Sequence, residues 1–255
     1  MQAENVIKEK HAGDIEQLKF IFSDENRIIV TAPAGCGKTT AMVSKIAREL
    51  SNGHILSNKK ILAMTFSVNA AMKIKDSLKA LLPELVENIQ KYLAKVDVAN
   101  YHNFAMRILF KHGYCLNGEF THLSDFKIVD EDSPLLNTFI TSADSDKLKK
   151  VNDAVKASNK EELIAALDDY WDILNRKLIT NHVITYNGIL ISAYLIKNFL
   201  SFCNTSKVCY KQYYQMIIID EFQDTNLLGY LLIKKLIGNN MIIFLVMMFK
   251  KYMVF

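Results

Sequence analysis

The stretch that decides the fold runs Ile28-Ile29-Val30-Thr31-Ala32-Pro33-Ala34-Gly35-Cys36-Gly37-Lys38-Thr39-Thr40. Its β-branched apolar start predicts a buried strand, its glycines predict a turn without bulky side chains, and its last residues predict the first turn of a helix. In that arrangement successive backbone N–H groups point at an anionic oxygen, and the helix presents its positive end to the same atom. The stretch therefore favours a phosphate-binding loop.

Within this loop the expected roles follow from residue type. Lys38 would reach the β- and γ-phosphates of a nucleotide, and the Thr39 hydroxyl would bind Mg²⁺. Ala32 stands where the strict pattern G-x-x-x-x-G-K-[ST] has glycine, so a strand–turn–helix corner without a ligand is the alternative interpretation. The residues expected to surround the phosphates are Ala32, Pro33, Ala34, Gly35, Cys36, Gly37, Lys38, Thr39 and Thr40.

Length and composition fit one or two globular domains. The chain has 255 residues, of which 50% are apolar, and a net charge of +4, which permits nucleic-acid binding without arguing for it. Its four cysteines are far apart and form no Cys-x-x-Cys pair, so we expect neither a structural metal nor a disulfide framework, and a cytoplasmic location. The polar N-terminus argues against a signal peptide, and no apolar run is long enough for a membrane span.

Strand and helix patterns alternate beyond the loop. Before the loop, residues 4–22 predict one helix. Residues 60–67 predict a second strand, and residues 96–105 predict a short strand, a polar turn and the start of a helix. Because a helical stretch follows each strand, we expect parallel strands joined by right-handed crossovers. Ligands of such α/β sheets lie at the carboxyl ends of the strands. Phe66 falls at one such end, where it either stacks on a base or packs into the core. His102 falls at the next, where a structural hydrogen-bonded histidine is the alternative to a ligand contact.

Between residues 111 and 182 the alternation stops and charged helical stretches take over, which predicts an all-helical insertion. We therefore expect residues 1–110 to form the first part of an α/β domain and 111–183 the insertion. Residues 184–246 complete the α/β domain, and 247–255 form a separate tail.

Two acids follow the strand predicted by the three isoleucines at 217–219. Carboxylates beside a sheet are costly unless a cation or hydrogen bonds compensate them. A magnesium nucleotide beside Lys38 supplies that compensation, with Asp220 holding the water shell of the metal and Glu221 orienting or deprotonating the attacking water. A strand that ends in solvated acids is the alternative interpretation.

Taken together, these segments resemble the UvrD/Rep/PcrA family of superfamily 1 DNA helicases. The resemblance covers residues 10–246 and lies in the loop and in three further motifs. Residues 64–71 are similar to T-F-T-N-x-A-A, residues 100–104 to T-F-H-S-F, and residues 220–226 match D-E-F-Q-D-T-N throughout. The fold implied is the first RecA-like domain of the P-loop NTPases, a parallel sheet flanked by helices, with the helical insertion.

The resemblance implies ATP and Mg²⁺ as cofactors and single-stranded and duplex DNA as partners. It implies ATP hydrolysis coupled to movement on single-stranded DNA and unwinding, as in DNA repair, with Lys38, Glu221 and Gln223 as catalytic residues. Gln17, by itself an ordinary solvent-facing glutamine, would read the adenine. The residues that would contact DNA are Thr65, Phe66, Ser67, Tyr101, His102 and Asn103.

After the last predicted strand the family motif G-D-x-x-Q is expected, but the sequence continues as V-M-M-F-K-K-Y-M-V-F. Deleting one base from a coding sequence for G-D-D-V-Q-K-I-Y-G-F yields these ten residues, so we expect a frameshift and a helicase truncated before its second RecA-like domain. A catalytically inactive nucleotide- or DNA-binding fragment is the alternative function.

Overall fold

The structure, a computed structural model, describes residues 2–202 and 210–247. These residues fall into two units. The first comprises the described residues within 1–100, 208–225 and 237–255, and the second those within 101–207 and 226–236. Apart from Met247, the tail expected over 247–255 lies outside the described residues.

The strands and helices are numbered in chain order. The strands are β1 (Arg27–Ala32), β2 (Lys60–Thr65), β3 (Val96–Asn100), β4 (Lys127–Val129), β5 (Val183–Thr185), β6 (Tyr214–Ile219) and β7 (Met241–Met247). The helices are α1 (Gln2–Lys10), α2 (Ile15–Phe22), α3 (Lys38–Ser51), α4 (Val68–Leu81), α5 (Ile89–Leu93), α6 (Tyr101–His112), α7 (Ser142–Lys156), α8 (Lys160–Ile173), α9 (Tyr186–Phe202), α10 (Tyr210–Tyr213) and α11 (Leu227–Lys234).

The first unit is built on a five-stranded sheet in the order β1-β7-β6-β2-β3, and every pair in it is parallel. This confirms the predicted α/β class with a parallel sheet flanked by helices. The carboxyl ends of parallel strands share one edge of a sheet, so the residues that follow β1 and β6 lie at the same edge. That edge carries the predicted phosphate loop and the acidic pair.

The core of this unit explains why the loop has a fixed position. One face of α3 (Met42, Ile46 and Leu50) is completely or almost completely buried, together with Ile218 of β6 and Ile243 of β7. Burying large aliphatic side chains of this kind contributes about 1.5–3 kcal/mol each relative to exposure. The helix that follows the loop is thus anchored on the sheet along its length.

Two local expectations differ from the structure. The single helix expected over residues 4–22 is two helices, because Gly13 adopts φ +93° between them and the Asp14 side chain caps α2. The polar turn expected after β3 is absent from the structure, where Asn100 ends the strand and Tyr101 begins α6.

The second unit is mostly helical but also contains a small parallel sheet of β4 and β5. The expectation of an insertion made only of helices was therefore wrong in this detail. Each of these strands has three residues, which is too short for a period-of-two pattern to appear in the sequence. Among the described residues, no helix is both long and apolar enough to cross a membrane.

Candidate nucleotide-binding site

The phosphate loop connects β1 to α3 through residues 33–37. Gly35 and Gly37 both adopt φ +78°, in the left-handed region that other residues rarely enter. A Cβ on Gly37 would also lie 2.8 Å from the Gln17 amide nitrogen. The backbone conformation therefore requires glycine immediately before Lys38, and a side chain there would also displace the Gln17 amide.

Lys38 begins α3, and its side chain folds back over the loop. Its Nζ donates to the carbonyl oxygens of Ala32, at 3.2 Å, and Pro33, at 3.0 Å. Cys36 is exposed, and its thiol donates to the same Pro33 oxygen at 2.9 Å. Pro33, Ala34 and Gly35 form the turn itself, and Thr39 and Thr40 lie in the first turn of α3. The ammonium group therefore lies against the backbone at the start of the turn.

Gln17 reaches the loop from α2. Its Nε2 donates to the Cys36 carbonyl oxygen at 3.0 Å, and its Oε1 lies 2.6 Å from His11 Nδ1. The other ring nitrogen of His11 lies 2.7 Å from Ser44 Oγ, a buried hydroxyl of α3. The sequence did not reveal His11 or Ser44, since a lone histidine and a helical serine carry no pattern and lie 33 positions apart.

The acidic pair meets the loop at the end of β6. Asp220 is 3% exposed, and its Oδ2 accepts a hydrogen bond from the Thr39 hydroxyl at 2.8 Å. Its backbone N–H donates to the Met64 carbonyl of β2 at 2.8 Å, which fixes its position beside the sheet. Burial raises the pKa of the Asp220 carboxyl, while the bond from Thr39 and the nearby Lys38 ammonium oppose the rise.

Glu221 occupies a strained position next to it. Its φ of +51° places a non-glycine residue in the left-handed region, which is common at functional sites because neighbouring contacts hold it there. Those contacts are visible: the Glu221 N–H donates to Asp220 Oδ1 at 3.1 Å, and Gln223 Nε2 donates to Glu221 Oε2 at 2.5 Å. Gln223 Oε1 accepts from the Met247 backbone N–H at 3.0 Å, so this side chain links the glutamate to the end of β7.

The oxygen atoms at this edge suit a magnesium ion. Mg²⁺ prefers hydroxyl and carboxylate oxygens and retains several water ligands. The Thr39 hydroxyl and the Asp220 carboxylate lie in direct contact beside the loop and supply that donor set, and a buried carboxylate gains most from a cation. The residues present therefore fit the metal that the sequence predicted.

The expected DNA-contacting residues at the end of β2 differ in exposure. Thr65 is buried and pairs with Asn100 in the register of β2 and β3. Ser67 caps α4 by accepting a hydrogen bond from the Ala70 N–H at 3.1 Å. Phe66 is 60% exposed, so the core-packing alternative does not hold for this ring.

Two apolar side chains of α4 that follow Phe66 in the sequence are also exposed. Val68 and Met72 are both more than half exposed and lie four positions apart, on one face of α4. Ala71, Ile74 and Leu78 face the core from the same helix. Sequence reasoning missed Val68 and Met72, although the four-residue spacing could have revealed them.

The second group of expected DNA contacts belongs to the second unit. Tyr101 is buried, Asn103 is exposed, and His102 is half-buried with its ring edge-on to Tyr186 at 5.2 Å between centroids. Burial lowers the pKa of the His102 imidazole, which favours its neutral form. His102 therefore presents a neutral hydrogen-bonding ring rather than a cation at neutral pH.

A separate cluster of Asp24, Glu49 and His54 has its ligand-type atoms within 4.8 Å of one another. Two cations already neutralise it, since Lys45 contacts Glu49 at 2.9 Å and Arg48 contacts Asp24 at 2.8 Å. These contacts make the cluster an ion-pair network on α3, the helix that follows the phosphate loop.

Comparison with known proteins agrees with this geometry. A family model described as the UvrD/REP helicase N-terminal domain matches residues 14–247. A probable DNA helicase of Mycoplasma pneumoniae is 29% identical over 256 residues, which cover 91% of this chain and 45% of that protein. A probable DNA helicase II homologue of Rickettsia conorii is 27% identical over 243 residues, covering 87% of this chain and 35% of that protein.

A shorter similarity involves one component of an ATP-dependent helicase/nuclease of Streptococcus sanguinis, with 32% identity over 113 residues, 40% of this chain and 9% of that protein. The chain spans less than half the length of these curated relatives. The family match, in contrast, covers nearly all of the chain and includes the loop, the acidic pair and the sheet that joins them. The chain therefore belongs to the UvrD/REP helicase N-terminal domain family.

Proposed function

We propose that this chain is the ATP-binding portion of an ATP-dependent DNA helicase, and that it binds magnesium ATP where the loop after β1 meets the acidic pair after β6. The observation that carries the proposal is the 2.8 Å hydrogen bond between Thr39 and Asp220. It joins the two segments that a nucleotide-hydrolysing site needs, the phosphate-binding turn and the carboxylates.

The loop would hold the phosphates through its backbone and Lys38. The glycine conformations at 35 and 37 leave the N–H groups of the turn without side-chain cover, and α3 presents its positive end at the same place. The Lys38 ammonium, now bonded to two loop carbonyls, is the cation that would pair with phosphate oxygens. An anion is a stronger partner for an ammonium group than a neutral carbonyl.

Thr39 and Asp220 would hold Mg²⁺, which supplies neutralisation of charge on the transferring phosphoryl group. Glu221 would orient the attacking water and accept its proton. The Glu221 carboxylate is held by Gln223, whose other end is bonded to β7, so a movement of the end of β7 would be transmitted to the glutamate. This link supports a role for Gln223 in coupling hydrolysis to movement on DNA.

For DNA, the exposed ring of Phe66 supports base stacking at the end of β2, and the exposed side chains of Val68 and Met72 offer apolar contacts on α4. In this proposal Ser67 stays within the cap of α4, and Thr65 supports the strand end from inside. Within the second unit, His102 and Asn103 are the side chains with accessible surface that would contact DNA, whereas Tyr101 is buried.

A catalytically inactive nucleotide- or DNA-binding fragment, the alternative that the sequence leaves open, is the second candidate. ATP hydrolysis measured with and without single-stranded DNA separates the two. The enzyme proposal predicts DNA-stimulated hydrolysis by the wild type that is lost in Lys38→Ala and Glu221→Gln. A wild-type rate equal to that of both variants contradicts turnover by this chain, and nucleotide binding that persists in Glu221→Gln then supports the second candidate.

A further inference from the structure

We propose that His11 is a positioning residue that makes the nucleotide site selective for adenine over guanine, by fixing the orientation of the Gln17 carboxamide. This inference rests on the proposed function and deepens it. It starts from the hydrogen-bond chain that runs from Ser44 through His11 and Gln17 to the loop carbonyl of Cys36.

The direction of this chain follows from what each atom can do. The Cys36 carbonyl oxygen can only accept, so the Gln17 atom 3.0 Å from it is the amide nitrogen. Gln17 Oε1 also can only accept, so the His11 Nδ1 that lies 2.6 Å away donates a proton to it. In the neutral imidazole the remaining ring nitrogen is then an acceptor, and it lies 2.7 Å from the Ser44 hydroxyl.

A rotation of the Gln17 amide by half a turn would break both contacts. It would place the amide NH₂ against the Nδ1–H of His11, and the amide oxygen against the carbonyl oxygen of Cys36. Two donors or two acceptors at hydrogen-bond distance repel and leave polar groups unsatisfied. His11 is 5% exposed and its other ring nitrogen is bonded to the fully buried Ser44, so the ring cannot readily turn to follow a rotated amide.

The fixed orientation matters because the bases differ along one edge. Adenine presents an acceptor at N7 and a donor at N6, which a glutamine amide satisfies with its NH₂ and its oxygen. Guanine presents two acceptors, N7 and O6, so it meets the amide oxygen with another acceptor. A Gln17 amide that is free to rotate can still donate to either guanine acceptor. An amide held by His11 keeps its oxygen in place, where it meets a guanine acceptor and weakens guanine binding.

The amide is also held close to the phosphates. A Cβ at Gly37 would lie 2.8 Å from Gln17 Nε2, so the amide packs directly on the residue that precedes Lys38. Gln17, Cys36 and Lys38 line a cleft of about 500 Å³ together with residues of β1. The His11–Gln17 pair thus lies within the reach of a base whose phosphates occupy the loop.

The test compares three substitutions at position 11 by calorimetric titration with ADP and with GDP in the presence of Mg²⁺. His11→Asn keeps a donor near the position of Nδ1, and His11→Asp has nearly the same shape with only acceptors there. His11→Phe removes both ring nitrogens. We expect the ratio of GDP to ADP dissociation constants to fall by about tenfold in His11→Asp and His11→Phe and to stay near the wild-type value in His11→Asn.

The Asn/Asp pair keeps the test decisive even where His11→Phe fails to fold. A ratio that is the same in His11→Asn and His11→Asp overturns the inference, as does a wild type without preference for ADP. A wild type that binds neither nucleotide more tightly than Lys38→Ala removes the proposed function and this inference together. If the wild type binds ADP and the ratio of GDP to ADP dissociation constants is unchanged in the variants, only the proposed role of His11 is contradicted.

Discussion

Asp220→Asn is expected to stabilise the folded chain while it removes magnesium-dependent nucleotide binding. The amide keeps the local geometry: its oxygen still accepts from the Glu221 N–H, and its NH₂ donates to the Thr39 hydroxyl, which reverses its own role. The main change is the loss of a negative charge from a side chain that is 3% exposed.

Because both hydrogen bonds survive, the stability gain comes from the charge that no longer has to be buried. We expect about 1 kcal/mol, or 2–4 °C in Tm for a chain of this size. The sign depends on pH. Folding raises the Asp220 pKa above its ordinary value of 3.8, so the wild type loses stability relative to the variant as the pH rises through the raised value, and the two converge in acid.

The assay is thermal unfolding at several pH values, together with ADP titration in the presence and absence of Mg²⁺. Asp76→Asn is a matched control, because it removes the same charge from an exposed position of α4. We expect no stabilisation in the control and a loss of at least about tenfold in magnesium-dependent affinity in Asp220→Asn. Lower stability of Asp220→Asn at neutral pH, or unchanged affinity with Mg²⁺, would refute the reasoning.

Three further predictions concern other parts of the chain. Gly37→Ala puts a side chain on a residue with left-handed backbone conformation and against Gln17, so Tm should fall and ADP affinity should drop severalfold. Unchanged Tm and unchanged ADP affinity would contradict the requirement for glycine at position 37. Ile218→Ala removes a fully buried side chain of β6 and should cost about 2–5 kcal/mol in chemical unfolding, and a cost below about 1 kcal/mol would contradict the packing. Hydrogen bonds from Lys177 and Thr141 lower the Asp144 pKa to about 2, so Asp144→Asn should be slightly less stable than the wild type at pH 7. The difference in stability should shrink below about pH 4, and a difference in thermal unfolding that does not depend on pH would contradict the prediction.

The sheet and the loop were predictable because their signals are local. A β-branched run followed by glycines and Gly-Lys-Thr determines a strand, a turn and a helix start within 13 residues, and the isoleucines before Asp220 determine a second strand in the same way. The meeting of these two segments followed from the rule that parallel strands place their carboxyl ends together.

The missed features depend on contacts between distant residues or on very short elements. The exposure of Phe66 stayed open between base stacking and core packing, because it depends on which residues pack around the ring in the folded chain. The His11–Ser44 bond joins two helical segments with no periodic signal, and β4 and β5 pair across more than 50 residues with three residues each. Gly13 adopts a positive φ and divides the first predicted helix into α1 and α2.

The central claim is that the loop and the acidic pair form one magnesium-nucleotide site. Its most direct test is calorimetric titration of the chain with ADP, with and without Mg²⁺, for the wild type and for Lys38→Ala. We predict saturable binding by the wild type that strengthens with Mg²⁺ and disappears in Lys38→Ala. Absence of wild-type binding, or equal binding in Lys38→Ala, would contradict the claim.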